Sequence, residues 1–373
     1  MSMGDERFMA AALAAARRGR GAVEPNPMVG AVLVRDGVEI AVGWHQRFGG
    51  PHAEIEALAA ARGAGADPAG ATMYVTLEPC SHHGKTPPCT RALIDAGVGR
   101  VVVAMQDPDA HVSGRGLAEL REAGIDVTLG VCEGEARTLL APYVKLRTTG
   151  RPWVICKWAQ TPDGLLALGP GRERWLSGPA SRARVHELRG LCDGILVGVG
   201  TVEADDPLLT NRSGRGKQPV RVVLDSSLRT PLGSELVRTA GQAPLLIATT
   251  AAAVMGHVAA ARALRDAGAE LLELPAAEAG VDLPALLDAL GRRRWTHLLV
   301  EGGATVLGGF VIGELADELL VFVCPPRGVP ADVAAVLPRF DIADVRKALD
   351  LPEAETQRLG DDTLRRYVLT GAS

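Results

Sequence analysis

The stretches "PHAE" (51–54) and "TLEPCSHHGKTPPC" (76–89) bring one histidine, one glutamate and two proline-preceded cysteines close together in the chain. Zinc in a catalytic site typically takes three protein ligands from imidazole and thiolate and leaves a fourth position for water. His52, Cys80 and Cys89 supply such a set, and two thiolates with one neutral imidazole balance the metal's charge. Glu54 falls in the first turn of a helix that should begin after Pro51, so it faces the same cavity without binding the metal. A carboxylate placed there can take a proton from water and pass it to a leaving amine. Cys80 follows Pro79 just after a strand, at the expected start of a helix or turn, where backbone N–H groups favour a thiolate.

H-x-E followed by P-C and a later cysteine is the signature of zinc nucleobase deaminases, in which the glutamate is acid and base but not a ligand. Here eight residues, "SHHGKTPP", separate the cysteines instead of two. The competing readings are a structural zinc knot and unrelated buried thiols. Two Pro-Cys steps in a strand–helix setting favour catalysis. His82, His83 and Lys85 lie in the loop between the cysteines and should rim the pocket, where a phosphate contact is expected. Cys132, Cys156, Cys192 and Cys324 sit in helical or apolar contexts and read as ordinary buried thiols.

Outward from this site the first 145 or so residues alternate strand and helix. Strands are expected over 28–34, 72–77 and 100–105 and at "DVTL", with helices over 53–62, at "CTRALIDAG" and near 115–123. A helix ending at Gly150 and followed by "RP" marks a boundary, giving domains 1–148 and 149–373. The second half opens with "WVICKWA" (153–159) and continues through "GILVGVG" (194–200), "VRVVLD" (220–225), "PLLIA" (244–248), "THLLVEGG" (296–303) and "DELLVFVC" (317–324). Two unlike α/β domains in tandem are expected.

Composition narrows the function. The 373 residues carry a net charge of −4, and only 3% are aromatic. That leaves few stacking platforms for single-stranded nucleic acid, and the one basic run, Arg292–Arg294, reads as a solvated helix end. No polynucleotide partner is expected. No apolar run reaches the roughly 18 residues that span a bilayer, so no membrane partner is expected either. The N-terminal stretch has acids early and arginines late, as an amphipathic helix does, and lacks the form of a signal peptide. A cytoplasmic protein is expected, with six cysteines too sparse for a disulfide framework.

In the second half, "GVGT" (198–201) ends a strand with small residues that allow close backbone approach to a ligand. "EGGATVLGG" (301–309) places glycines between a strand and a helix, where N–H groups can hold phosphate. Neither is a G-x-G-x-x-G fingerprint, and each alone reads as a tight turn.

"PNPMVGAVLV", "GWHQRFGGPHAE", "YVTLEPCSHHGKTPPC" and "MQDPDAHVSGRG" resemble the N-terminal half of the bifunctional riboflavin-biosynthesis deaminase/reductase family. "KWAQTPDG", "RVHELRG", "GILVGVGTVEADDPLLTNR", "QPVRVVLD", "VEGGATVLGGF" and a closing "GDDTLRRYVL" continue the resemblance. It implies a cytidine-deaminase-like zinc domain followed by a dihydrofolate-reductase-like α/β domain. It further implies one zinc per chain, NADPH as reductant, a phosphorylated diaminopyrimidine ribosylamine as substrate, and a homo-oligomer.

By position, the resemblance places Asn26, His45, His82 and Lys85 at the deaminase substrate. It places Ala159, Trp175, Thr201, Asp205, Ser226, Gly303, Ala304, Thr305, Val306, Leu307, Gly308 and Gly309 at NADPH. Lys157, Glu173, Arg189, Leu209, Arg212 and Glu301 then face the reductase substrate, and the two arginines have the fork geometry a sugar phosphate takes. Three features depart from the family pattern. They are Leu165 after "TPDG", Glu173 in "GRERW" where a small serine is usual, and "RGVPADVAAVLP" after "VFVCPP". A deaminase with a weakened reductase domain is therefore the second reading, and a non-catalytic zinc-stabilised binding module the third.

Overall fold

In the computed structural model the chain is described over residues 3–81, 88–109, 113–169, 175–326 and 328–369. It divides into two compact units, Met1–Gly150 and Arg151–Ser373.

The first unit is built on β1 (Gly30–Arg35), β2 (Val38–Trp44), β3 (Thr72–Val75), β4 (Arg100–Val103) and β5 (Asp126–Leu129). Their order in the sheet is β2-β1-β3-β4-β5. β1 is antiparallel to both neighbours, whereas β3, β4 and β5 run parallel. Period-two alternation sends Ala31, Leu33, Met73, Val75, Val101 and Val103 to one face, where they pack under Leu58, Leu93 and Leu117 of three helices. Val32, Val34, Tyr74 and Val102 face the other way, against Met9 and Leu13 of helix Met3–Ala16 and Leu140 of helix Glu133–Thr149. The two helices that frame the cysteine–histidine cluster, Ala53–Gly63 and Cys89–Asp95, lie on the first of these faces. Gly150 closes helix Glu133–Thr149 in the left-handed conformation, at φ 71°.

β2 is absent from the sequence expectations. The signal for it was Asp36-Gly37, both with positive φ, the pairing that a tight two-residue hairpin turn demands.

The second unit adds β6 (Trp153–Gln160), β7 (Gly194–Gly198), β8 (Val220–Leu224), β9 (Leu245–Thr250) and β10 (Ala269–Leu274). A small hairpin, β11 (Ala276–Ala277) with β12 (Gly280–Val281), stands outside the main sheet. β13 (His297–Val300), β14 (Glu318–Val323), β15 (Glu355–Leu359) and β16 (Asp362–Val368) complete it. The order is β10-β9-β8-β7-β13-β6-β14-β16-β15. From β10 to β14 every pairing is parallel, and the last two strands are antiparallel. After β6 the chain winds out to β10 and returns to place β13 between β7 and β6. Open α/β sheets bind ligands in the crevice at the strand carboxyl ends where winding reverses.

Among the described residues no helix is long and apolar enough to cross a membrane.

Candidate active sites

His52 caps helix Ala53–Gly63 with extended backbone, at φ −76° and ψ 165°, so its ring leaves the chain just before the helix begins. Its Nδ1 lies 3.5 Å from Cys80 Sγ and 3.3 Å from Cys89 Sγ. All three ligand atoms fall within 4.8 Å of one another. A tetrahedral zinc with bonds of about 2.1 Å to nitrogen and about 2.3 Å to sulfur spaces its ligands roughly 3.5–4 Å apart, so the donor set fits that ion.

Helix Cys89–Asp95 starts at Cys89, with Pro88 as its cap, and Cys80 belongs to an irregular stretch. Of the two expectations for Cys80, a helix start or a turn, the helical one does not hold, and the helix expected at "CTRALIDAG" begins at Cys89. The N–H that steadies the Cys80 sulfur is contributed by Cys89, at 3.4 Å. Hydrogen bonding from the Cys89 thiol, and then from His52, holds the Cys80 thiol down to about 4, while that same bond and burial push Cys89 up. The hydrogen bond to Cys80 raises His52 above the usual imidazole range.

Glu54 sits one turn edge into the helix and is 3% exposed. Burial, with the Cys80 thiolate nearby, pushes its carboxyl above the usual range.

Asn26 and His45 form the adjoining wall. His45 Nδ1 donates to the Pro51 carbonyl at 2.8 Å, which leaves Nε2 to accept from the Asn26 amide at 3.2 Å. Burial lowers the His45 pKa, consistent with that neutral tautomer. Its ring meets His52 edge-on with centroids 5.4 Å apart. His82 and Lys85 lie outside the described residues.

The second unit gathers charges at the carboxyl ends of β6 and β13. Glu301, just past β13, accepts from Arg189 Nε at 2.8 Å and Nη2 at 3.0 Å, and from Lys157 Nζ on β6 at 3.2 Å. Arg189, near the end of helix Pro179–Leu191, also donates Nη1 to the Thr210 carbonyl at 3.2 Å, drawing the 209–212 segment in. Leu209 in that segment is buried with a left-handed φ of 50°. Arg212 reaches His186 of the same helix, Nη2 to Nε2 at 3.2 Å. His186, in "RVHELRG", was not singled out in the sequence. Burial, then the charges of Arg189 and Arg212, lower its pKa.

Ala159 follows Lys157 by two on β6, on the same side of the strand. Thr201 and Asp205 occupy helix Val199–Asp205 after β7, and Ser226 follows β8. Trp175 is half exposed, with the Arg182 guanidinium 5.9 Å from its ring centre. Gly303 caps helix Ala304–Ile312, which carries Thr305, Val306, Gly308 and Gly309. A side chain on Gly303 would meet nothing within 4 Å, so its backbone is open to a ligand. Leu307 is fully buried among Phe310, Val311 and Leu298, so its side chain serves the core. Glu173 lies outside the described residues. Leu165, one of the departures, is buried and bridges to Arg339, just past the unusual stretch, while Leu166 N–H bonds the carbonyl of Pro338, the last residue of that stretch, at 3.0 Å. These two departures are thus packed against each other.

A His-Cys-Cys cluster beside a buried glutamate marks the first unit as one of the zinc deaminases, and the parallel sheet with its Lys157–Glu301–Arg189 cluster follows as a second α/β domain. The family model for the "Cytidine and deoxycytidylate deaminase zinc-binding region" matches residues 2–105, and that for the "RibD C-terminal domain" matches 152–326. The riboflavin biosynthesis protein RibD of Actinobacillus pleuropneumoniae is 38% identical over 99% of this chain and 96% of its own length. That of Escherichia coli K12 is 40% identical over 98% and 100%. Among solved structures, Acinetobacter baumannii RibD (form 1) matches with a TM-score of 0.83 at 34% identity, covering 99% of each chain. The chain belongs to the RibD family of riboflavin biosynthesis proteins. It is a bifunctional enzyme that acts by deamination and by reduction, with zinc and NADPH as the respective cofactors.

Proposed function

We propose that the substrate is 2,5-diamino-6-(5-phosphoribosylamino)pyrimidin-4-one, which the first unit deaminates hydrolytically and the second reduces from ribosyl to ribityl. The diaminohydroxyphosphoribosylaminopyrimidine deaminase/5-amino-6-(5-phosphoribosylamino)uracil reductase of Thermotoga maritima matches this chain with a TM-score of 0.80 at 35% identity. The observation that carries the reading is the convergence of His52, Cys80 and Cys89 beside buried Glu54.

In this reading His52, Cys80 and Cys89 would hold the zinc, which would supply the Lewis acidity that activates water near neutral pH. Glu54 accepts the proton that the attacking water gives up and delivers it to the departing amino nitrogen, so that ammonia leaves and a carbonyl remains. Asn26 and His45 orient the pyrimidine, with His82 and Lys85 assigned to the same substrate by their place in the motif.

In the second unit Gly303 and the N-terminus of helix Ala304–Ile312 would hold the phosphates of NADPH, with Ala159, Trp175, Thr201, Asp205 and Ser226 along the rest, and the cofactor would supply a hydride. Lys157, held by Glu301, is placed to donate the proton that the opening ribosyl ring oxygen requires. Arg189, Arg212 and Leu209 complete the substrate side, with Glu173 assigned to it by its place in the motif. The reduced thiols this scheme needs fit a cytoplasmic setting.

The test supplies the diaminopyrimidine to zinc-loaded enzyme with and without NADPH. Without NADPH the aminouracil should accumulate; with it, the ribityl product should follow. Release of no ammonia from the zinc-loaded chain would overturn the assignment.

A further inference from the structure

We infer that Glu78 is a positioning residue for the metal ligands, clamping Asp107 and the start of helix Arg115–Glu122 against the segments that bear Cys80 and Cys89. The inference rests on the zinc site proposed above and deepens it.

Glu78 is 4% exposed, and its carboxylate is surrounded by backbone donors. Oε2 accepts from Asp107 N–H at 3.2 Å and Gly114 N–H at 3.0 Å. Oε1 accepts from Gly116 N–H at 2.9 Å and Leu117 N–H at 3.4 Å. Gly114 is the cap of helix Arg115–Glu122, so Glu78 satisfies the orphan amides of that helix from another strand's end. Several amide dipoles and a helix N-terminus are what a buried carboxylate needs in place of water.

The clamp is joined to the cysteines on two sides. A Cβ on Gly116 would stand 2.1 Å from the carbonyl oxygen of Pro79, the residue before Cys80, so the helix end is docked on that peptide. Further along the same helix, Glu119 accepts from Thr90 Oγ1 at 2.8 Å. Thr90 follows Cys89, and its N–H bonds the Cys80 carbonyl at 3.2 Å. One helix therefore braces both cysteine turns. Groups that orient metal ligands from behind typically change metal affinity about 10–100-fold when lost.

The test measures zinc dissociation constants of the full chain by chelator competition. In Glu78→Gln one oxygen remains for one pair of N–H groups, and the new NH₂ faces the other pair, donor against donor. Zinc should bind about 10–100-fold more weakly than to the unsubstituted chain. Thr90→Val removes the hydroxyl that bonds Glu119 and the Cys80 carbonyl, keeps the Thr90 N–H bond to that carbonyl, and should weaken zinc in the same direction by less. If Glu78→Gln does not fold, Thr90→Val decides alone. Lowered melting temperatures with an unchanged zinc dissociation constant would reduce Glu78 to ordinary packing and overturn the inference. Failure of the unsubstituted chain to bind zinc would instead overturn the zinc site itself.

Discussion

Arg189 grips Glu301 through two hydrogen bonds, 2.8 Å from Nε and 3.0 Å from Nη2, and leaves the carboxylate room for Lys157 at 3.2 Å. One anion thus answers two cations whose side chains are 12% and 16% exposed. Burial alone would raise the Glu301 carboxyl, but Arg189 and Lys157 overcome it and hold it down to about 2. The arrangement holds two cations side by side on one shared carboxylate, which offsets their mutual repulsion.

Glu301→Gln strips the charge and leaves both cations uncompensated. Breaking a buried pair by removing one partner costs about 3–5 kcal/mol, and a loss of that order is expected at pH 7. The sign follows from a folded pKa below the unfolded one. The contribution is complete above the unfolded value, and it fades as pH falls from there toward about 2. Denaturant unfolding of both proteins at pH 7 and at pH 3 should show the gap narrowing in acid. A gap that stays constant would mean the charge is not its source.

Glu54→Gln tests the proton carrier. The amide preserves shape but cannot accept the water's proton. The variant should keep about one zinc per chain while losing roughly 10²–10⁴-fold of deaminase turnover. NADPH-dependent reduction of supplied aminouracil should continue. Loss of zinc on this substitution would identify Glu54 as a ligand and undo its role as acid and base.

Much of the site was legible because its chemistry is local. His52 and Glu54 are two apart, each cysteine follows a proline, and the H-x-E order carries its own geometry. The helix expected at "CTRALIDAG" was legible too, and it begins at Cys89. Glu78 was illegible, since its partners lie about thirty to forty residues on and are backbone groups that any sequence possesses. β15, "ETQRL", is exposed along most of its length at a sheet edge, so it lacks the alternating apolar pattern that marks a half-buried strand. β2 has no continuous apolar run to mark it, and its signal lies in the turn residues Asp36-Gly37 that precede it.

Zinc removal separates a catalytic ion from a structural knot. The first unit buries two apolar layers, one on each face of its sheet, independently of the metal cluster. Chelation should abolish deamination while leaving far-ultraviolet circular dichroism nearly unchanged, and added zinc should restore turnover. Collapse of the spectrum on chelation would assign the ion a folding role instead.

Truncation after Gly150 tests whether the first unit stands alone. Every candidate deaminase residue precedes that glycine, and the sheet with both of its apolar layers lies within Met1–Gly150. The fragment should be soluble, hold about one zinc and deaminate without NADPH. An insoluble fragment, or one that binds zinc but does not turn over, would show that the site draws on the second unit.

Gly43→Ala asks how tightly the sheet holds the helix that carries Glu54. A methyl group at position 43 would stand 2.3 Å from both the Ala53 carbonyl oxygen and the Ala57 nitrogen. Both are backbone atoms, so no side chain can swing aside, and the helix must move off β2. Overpacking of this kind costs about 1–3 kcal/mol. The shift would carry His52 and Glu54 with it, since one caps that helix and the other lies in its first turn. A lower melting temperature for the first unit and reduced deaminase kcat/KM are expected together, with reduction of supplied aminouracil unaffected. Gly63→Ala, at the far end of the same helix where a Cβ meets nothing within 4 Å, is the control and should be neutral or slightly stabilising. Equal stability and activity for the two variants would show that the helix has slack against β2, and that the placement of Glu54 depends on something other than this contact.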